Sequence, residues 1–401
     1  MSEPTMNSKP ELTIAPEADG RSTRVDLKLD GKSVSRLWLV PFTLHIGEAL
    51  VRMDGVGGVG TDEDYRSKGY SRRVLETAVE HMKVGDAALS MLYGIRDFYP
   101  KFGYATAGPD HLAVLTDLDR DGGLPEGWTV RPLELHDVPA VQDLYALNTA
   151  GATGAAKRDP KGGVWSRLLK AVANAKEDGC RVVVGPDGVM HGYLWRAKWC
   201  WYVHHALEPE YKRALVLGEV MADGPIAAEA VLAACRCWAK EEPEARKVKE
   251  VVLAFPPEGP LAAAAMRQDT RLLRNYSACG GSMARVLNLR RLLEALRPEM
   301  AARLQSASSS FRGTLAFRTD IGDATVRIGP KRVTIAEGAL SGVGSLSVSL
   351  PQSELARLAL GAFPPEDILA RLPEPPSEET ARVLRALFPT RNAHMHLPDR
   401  Y

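Results

Sequence analysis

The sequence predicts an α+β protein built from three consecutive units, and three observations carry that reading. An apolar run ending near Thr61 is followed by a polar turn, an amphipathic helix and a second apolar run at residues 87–92. After a polar linker the pattern restarts at Trp128-Thr129-Val130-Arg131-Pro132, a short strand that leads into a helix. Beyond residue 310, Val326/Ile328, Val333/Ile335 and Leu346/Val348/Leu350 alternate at period two, as strands with one buried face require. Leu355, Leu358 and Ile368 then move to helical spacing. Strands packed under a few helices make an α+β unit. A length of 401 residues accommodates two or three such domains.

In the first unit, Val74, Leu75, Ala78, Val79 and Met82 fall on one helical face. Just before that helix stands Arg66-Ser67-Lys68-Gly69-Tyr70-Ser71. Backbone N–H groups at a helix start are unpaired and carry the positive end of the helix dipole, so they can hold phosphate oxygens. Gly69 permits close approach to the backbone, and Arg66, Lys68, Arg72 and Arg73 surround it with charge. The segment reads as a pyrophosphate cradle. Phe98-Tyr99-Pro100-Lys101-Phe102-Gly103-Tyr104 follows the second apolar run.

The linker at residues 119–127 is polar and contains Gly and Pro, which marks a division. His136-Asp137-Val138-Pro139 then enters a helix continued by Val141, Leu144 and Tyr145. Candidate strands lie at 181–184, 192–196 and 251–255, and the Ala- and Cys-rich stretch 226–238 is a good helix. No Arg-x-x-Gly opens that helix, so this unit reads as scaffold without a cofactor cradle. A helix from Leu289 to about Gln305 and a serine-rich linker at 306–310 lead into the third unit.

Composition sets limits. Hydrophobic content of 45% and charged content of 25% are those of a soluble globular protein. A formal charge of +1 gives no case for bulk nucleic-acid binding, and no run approaches the length of a membrane-spanning helix. The first twenty residues lack the apolar core of a signal peptide. Five cysteines (Cys180, Cys200, Cys235, Cys237, Cys279) form an odd, unpatterned set that suits a reducing cytoplasm.

The succession of strand, Arg-x-x-Gly-x-x helix, strand and Phe-Tyr-x-x-Phe-Gly-Tyr resembles the acetyl-CoA-binding core of the GNAT acetyltransferases. The chain as a whole resembles their enhanced-intracellular-survival subfamily, whose members join two GNAT-type domains to a sterol-carrier-protein-like domain. Two further stretches carry that likeness. One is Gly281-Ser282-Met283-Ala284-Arg285-Val286-Leu287-Asn288-Leu289-Arg290-Arg291-Leu292-Leu293; the other is the C-terminus, from Leu387-Phe388-Pro389 to Pro398-Asp399-Arg400-Tyr401. The resemblance implies a GNAT domain with a shortened N-terminus at 1–124, a second, non-catalytic GNAT-like domain at 125–289, and a sterol-carrier-like domain at 290–401. It implies acetyl-CoA as donor, no metal, and a primary amine as acceptor, either an aminoglycoside-like small molecule or a lysine side chain. It also implies a homo-oligomer, a hexamer, in which the third domain contributes to assembly and presents the C-terminus. No nucleic-acid or membrane partner is expected.

Acetyl transfer to an amine needs a neutral attacking nitrogen, a stabilised oxyanion and a thiolate that can leave. By the resemblance, Tyr99 protonates the thiolate and the α-carboxylate of Tyr401 is the base. Backbone groups of Val59, Gly60 and Thr61 line the pantetheine, and Arg66, Ser67, Lys68, Gly69, Tyr70 and Ser71 hold the pyrophosphate. A phenol with a reference pKa of about 10 is a sensible donor to a thiolate, whereas an α-carboxylate at about 3.5 needs burial or a relay water. The plainer readings are that Phe98, Tyr99, Phe102 and Tyr104 are core and that the terminus is frayed.

Other groups offer less. Cys235 and Cys237 sit at i and i+2 of a helix and point apart. His394-x-His396 places both imidazoles on one side of an extended segment without an evident third ligand. His204-His205 reads as a polar strand end, and neither a Ser–His–Asp order nor a Walker-type loop appears. Two departures from the family pattern weigh against a polycationic acceptor. About 24 polar residues precede Val25, where two helices normally wall the acceptor pocket, and Arg400 stands where acidic groups are favoured. The competing class is a non-catalytic scaffold that binds CoA or an apolar ligand.

Overall fold

The computed structural model describes residues 9–18, 20–95, 97–119, 123–173, 179–196, 213–243, 248–276, 281–330, 332–339 and 344–401. The expected His204-His205, Cys200 and Cys279 lie outside them.

Three sheets organise the described residues. The first runs β1 (Glu11–Pro16), β2 (Thr23–Leu29), β3 (Lys32–Ile46), β4 (Ala49–Thr61), β5 (Leu89–Gly94), β15 (Gly281–Val286) and β6 (Ala105–Gly108), with β9 (Thr153–Ala156) paired to β3. The second runs β14 (Thr270–Asn275), β7 (Asp110–Leu115), β13 (Glu250–Ala254), β12 (Ala214–Ala222), β11 (Met190–Arg196), β10 (Cys180–Val184) and β8 (Thr129–Pro132). The third is four-stranded: β18 (Val333–Glu337), β17 (Gly322–Ile328), β16 (Gly313–Thr319) and β19 (Ser345–Ser349).

The first two sheets repeat one plan. Among the described residues each has one parallel pair, β4–β5 and β12–β13, flanked by antiparallel neighbours. A parallel pair needs a crossover, and a helix supplies it in both: α1 (Tyr70–Val84) in the first, Pro225–Glu241 in the second. The two sheets also exchange a strand. β7 lies between β13 and β14 of the second sheet, while β15 lies between β5 and β6 of the first. A division after residue 124 falls between β7 and β8, and one after 289 falls at the first residue of helix Leu289–Ala295. Division by residue range therefore does not coincide with division by sheet.

Burial follows the predicted faces. Val74, Leu75, Ala78, Val79 and Met82 of α1 are buried against Val25, Leu27, Leu37, Leu39 and Val56 on one face of the first sheet. Truncating Leu75, with no exposed surface, to alanine costs about 2–5 kcal/mol by the lost transfer energy and the cavity left behind. The other face (Leu44, Ile46, Val51, Met53) joins a continuous core with the third sheet and its helices. No helix lies between residues 9 and 62 among the described residues; β1 pairs along β2 there instead. The helix expected from 289 to 305 is two, Leu289–Ala295 and Arg297–Ser306. The break sits at Leu296, and Pro298, whose missing N–H is tolerated in a first turn, stands at the start of the second helix.

Candidate active site

The parallel pairing of β4 and β5 runs from Met53↔Leu89 to Val56↔Leu92 and then stops. β4 continues to Thr61 paired with β3 alone among the described residues, so its peptide groups on the β5 side have no strand partner there. A bulge between Arg36 and Trp38 shifts the β3–β4 register at this point. Gly58 takes the extra turn at φ +59°, with the Trp38 indole so near that an added Cβ would lie 2.5 Å from its ring. Two strands thus diverge and leave a gap.

The end of the chain fills one side of that gap. A Cβ built on Gly55 would lie 2.4 Å from Tyr401 Cζ, and one on Gly57 3.1 Å from the Tyr401 carboxyl carbon. Only a strand face without side chains accepts this contact. The Tyr401 ring also packs on Phe42 at 5.2 Å and Tyr93 at 6.1 Å, with its hydroxyl 3.9 Å from Met53 Sδ. Phe42, Tyr93 and Met53 belong to the sheet face that meets the third unit.

Tyr99 approaches from the opposite face. It opens a short 3₁₀ turn, Tyr99–Phe102, just beyond β5, and is 7% exposed within the α1-side core. Its ring lies against the position a Cβ on Gly94, the last residue of β5, would take. Phe98 meets it edge-on at 5.0 Å and Tyr104 at 6.3 Å. Tyr104 is wholly buried, 2.7 Å from the Ser90 hydroxyl, which donates to the Asp54 carbonyl at 2.9 Å. Burial pushes the Tyr104 phenol far above the ordinary range. Tyr104 is thus structural, while Tyr99 and Tyr401 stand at the diverging strands from opposite faces.

The expected cradle begins where β4 ends. Ser35 Oγ is 2.8 Å from Thr61 Oγ1 and 3.3 Å from the Gly60 carbonyl oxygen, which fixes the strand tip beside Val59. Gly69 caps α1 at φ +77° and, as glycine, offers no capping side chain, and no acidic residue occupies the first turn. A Cβ on Gly69 would meet nothing within 4 Å, so the approach is open. Ser67 shares the left-handed conformation at φ +61°, and Arg73 N–H is already bonded within the helix to Gly69 C=O. Arg66, Lys68, Arg72 and Arg73 are exposed around this start, while Tyr70 and Ser71 are half-buried in it. Arg66 stands 3.4 Å from Glu63, and Lys68 Nζ donates to Asp64 C=O at 2.9 Å and lies 5.2 Å over the Tyr65 ring. Open approach, a helix start without a capping side chain, and exposed cations fit a pyrophosphate.

What aims Tyr401 was not visible in the sequence. Arg158, 3% exposed, is clamped between Glu219 and Asp399. It donates from Nε to Asp399 Oδ1 at 2.9 Å and from a terminal nitrogen to Asp399 Oδ2 at 2.8 Å. Its other bonds go to Glu219, which also accepts from the Tyr193 hydroxyl at 2.8 Å. Burial opposes the guanidinium charge, yet Asp399 and Glu219 hold it protonated well above its ordinary value. The Arg158 guanidinium also stacks 3.7 Å from the Tyr145 ring centre. Arg400 pairs with Asp110 at 2.6 Å and lies 4.5 Å over Tyr93. Its charge is thus spent inside the protein.

No group of three or more His, Cys, Asp or Glu with metal-holding geometry occurs among the described residues, and no helix among them is long and apolar enough to cross a membrane.

Residues 19–107 match the acetyltransferase (GNAT) domain family. The chain therefore contains a GNAT acetyltransferase domain. No curated protein matches the sequence. In fold it is similar to a conserved protein of unknown function from Enterococcus faecalis V583 described as a probable N-acyltransferase, at TM-score 0.71 and 15% identity over 95% of this chain and 90% of that one. It is similar to a GCN5-related N-acetyltransferase from Anabaena variabilis ATCC 29413 at TM-score 0.70 and 16% identity, covering 94% and 89%. Eis1 from Mycobacterium abscessus gives TM-score 0.59 at 15% identity, covering 95% and 91%. At these identities the likeness concerns fold, and it bears out the expected α+β class over nearly the whole length.

Proposed function

We propose that the protein is an acetyl-CoA-dependent N-acetyltransferase acting on a primary amine, with Tyr99 as acid and the Tyr401 carboxylate as base. One observation carries this: the chain's own terminus is seated on Gly55 and Gly57 at one face of the β4–β5 gap, opposite Tyr99 at the other. Bound acetyl-CoA would supply the acetyl group as a thioester. Arg66, Ser67, Lys68, Gly69, Tyr70 and Ser71 hold its pyrophosphate, and the open peptide edge at Val59, Gly60 and Thr61 receives the pantetheine. The Tyr401 carboxylate takes a proton from the acceptor ammonium so that the nitrogen attacks neutral, and the Tyr99 hydroxyl gives its proton to the departing sulfur. Each proton is then exchanged with solvent. The acceptor is a small-molecule amine or a lysine side chain approaching over Phe42, Tyr93 and Tyr401. The second GNAT-type unit serves as scaffold, and the third, read as sterol-carrier-like, presents the C-terminus. The same reading includes a cytoplasmic hexamer, which sedimentation as a clean monomer would remove.

The open N-terminal side, with no helix among the described residues of 9–62, favours one alternative: a scaffold that binds CoA without turning over. Calorimetric titration of the untagged protein with acetyl-CoA, followed by CoA release across a panel of amines, separates the two. Binding with amine-dependent release supports the transferase; binding without release supports the scaffold; no binding rejects both.

A further inference from the structure

The second sheet opens as the first does. β12 and β13 pair from Ala214↔Glu250 to Leu217↔Leu253 and then part, and β12 carries its own bulge against β11. A cavity of about 400 Å³ lies between the end of β12 and the turn after β13. That volume suits a small organic ligand. Phe255 and Leu261 give it apolar walls, Asp223 and Glu258 stand at its mouth, and no lysine or arginine lines it among the described residues.

The C-terminal segment closes the inner wall with His394 and His396, 5% and 4% exposed, their rings 4.8 Å apart. Both ring nitrogens of His394, and Nδ1 of His396, have no hydrogen-bond partner among the described residues although each is shielded from water. A buried polar group left unpaired costs about 1–3 kcal/mol. Three such atoms in one wall mark a place where the partner comes from outside the chain. Burial keeps both rings neutral, His394 well below the ordinary imidazole range and His396 at about 3, so each offers a lone pair. Around the mouth, Asp223 contacts His191 at 2.6 Å, His191 contacts Asp187 at 3.0 Å, and Glu258 accepts from Asn392 at 3.2 Å. At the mouth three carboxylates stand against at most one imidazolium. Behind the wall Arg158 and Arg400 also act on the two rings, but they are paired with Glu219 and Asp399 and with Asp110, so the open side stays negative and repels phosphates and carboxylates.

We propose that this cavity binds a small organic ammonium ion, whose N–H groups donate to the imidazole lone pairs while its apolar body rests on Phe255 and Leu261. The site is separate from the one assigned to acetyl transfer, and its failure would leave that reaction untouched.

The test uses the full chain labelled at histidine ¹³Cε1, titrated with benzylamine, benzyl alcohol and benzoate. Benzylamine is expected to shift non-titrating imidazole resonances saturably, with a dissociation constant at least about tenfold below those of the neutral and anionic analogues. Leu147, which lies on the rim and is 62% exposed, accepts substitution without disturbing the core. Leu147→Arg should weaken benzylamine about tenfold or more by placing a cation at the mouth. No saturable shift up to roughly 20 mM, equal binding of benzoate, or an unchanged constant in Leu147→Arg would each overturn the proposal.

Discussion

The first two sheets start from the same geometry and end differently. In each, a parallel pair separates after four residue pairs, next to a bulge and ahead of a crossover helix. In the first, the strand ahead of the helix carries Gly55 and Gly57, the helix opens on left-handed Gly69 amid exposed cations, and Tyr401 lies on the glycines. In the second, the helix opens after an extended Gly224, without flanking cations, and the positions that answer to Gly55 and Gly57 in the pairing are Val216 and Gly218, so only one of the two glycines is present. A fold-level gap is thus neutral; glycine spacing and helix-start charge decide what enters it. One C-terminal segment serves both, with His394 and His396 at the second gap and Tyr401 at the first.

The largest effect should come from unfastening that segment. Arg158→Met leaves Glu219 and Asp399 buried without their cation, and a buried pair broken on one side costs about 3–5 kcal/mol. Urea unfolding measures it; a loss below about 1 kcal/mol would show that the segment is not held there. Tyr99→Phe should lower turnover about 100-fold or more while leaving the acetyl-CoA dissociation constant within about twofold. Turnover at the wild-type level would remove Tyr99 from the chemistry and make it core alone.

The second gap has a signature in pH. His111 is depressed to about 4, His396 to about 3 and His394 well below the usual range, all chiefly by burial. The unfolded chain takes up these protons near pH 6.5 while the folded chain does not. Stability present above that pH should therefore fall as the pH drops, by about 0.8 kcal/mol for each imidazole at pH 6. Unfolding midpoints at pH 8 and pH 6 check this, and equal stability at both would mean that these rings titrate normally. The smallest effect is at the cradle. Replacing Arg66 and Lys68 by alanine should weaken acetyl-CoA about tenfold, since exposed cations act through screened charge, and calorimetry with no change would place the pyrophosphate elsewhere.

Local features were legible in the sequence. The α1 face, the period-two strands of the third sheet and the absence of an Arg-x-x-Gly in the second unit all depend on neighbours within a few residues. What escaped depends on distant ones. The exchange of β7 and β15 leaves no local trace, because either strand satisfies the same alternation in either sheet. Arg158 stands alone in a polar loop, and its partners Glu219 and Asp399 are 61 and 241 residues away. The glycines at 55, 57 and 58 did give a signal, a run too glycine-rich for an ordinary strand. What they admit, the end of the chain, lay outside any local pattern.

In the proposed mechanism Tyr401 brings a free carboxylate to the first gap. The direct measurement is amine-dependent CoA release by the untagged protein and by a form extended with a single glycine after Tyr401, each with its acetyl-CoA affinity. Extension replaces the carboxylate beside Gly57 with a neutral amide and moves the charge onward. Loss of turnover by about 100-fold with unchanged acetyl-CoA binding is the predicted result. Full turnover in the extended form would contradict the account and reduce Tyr401 to a packing residue.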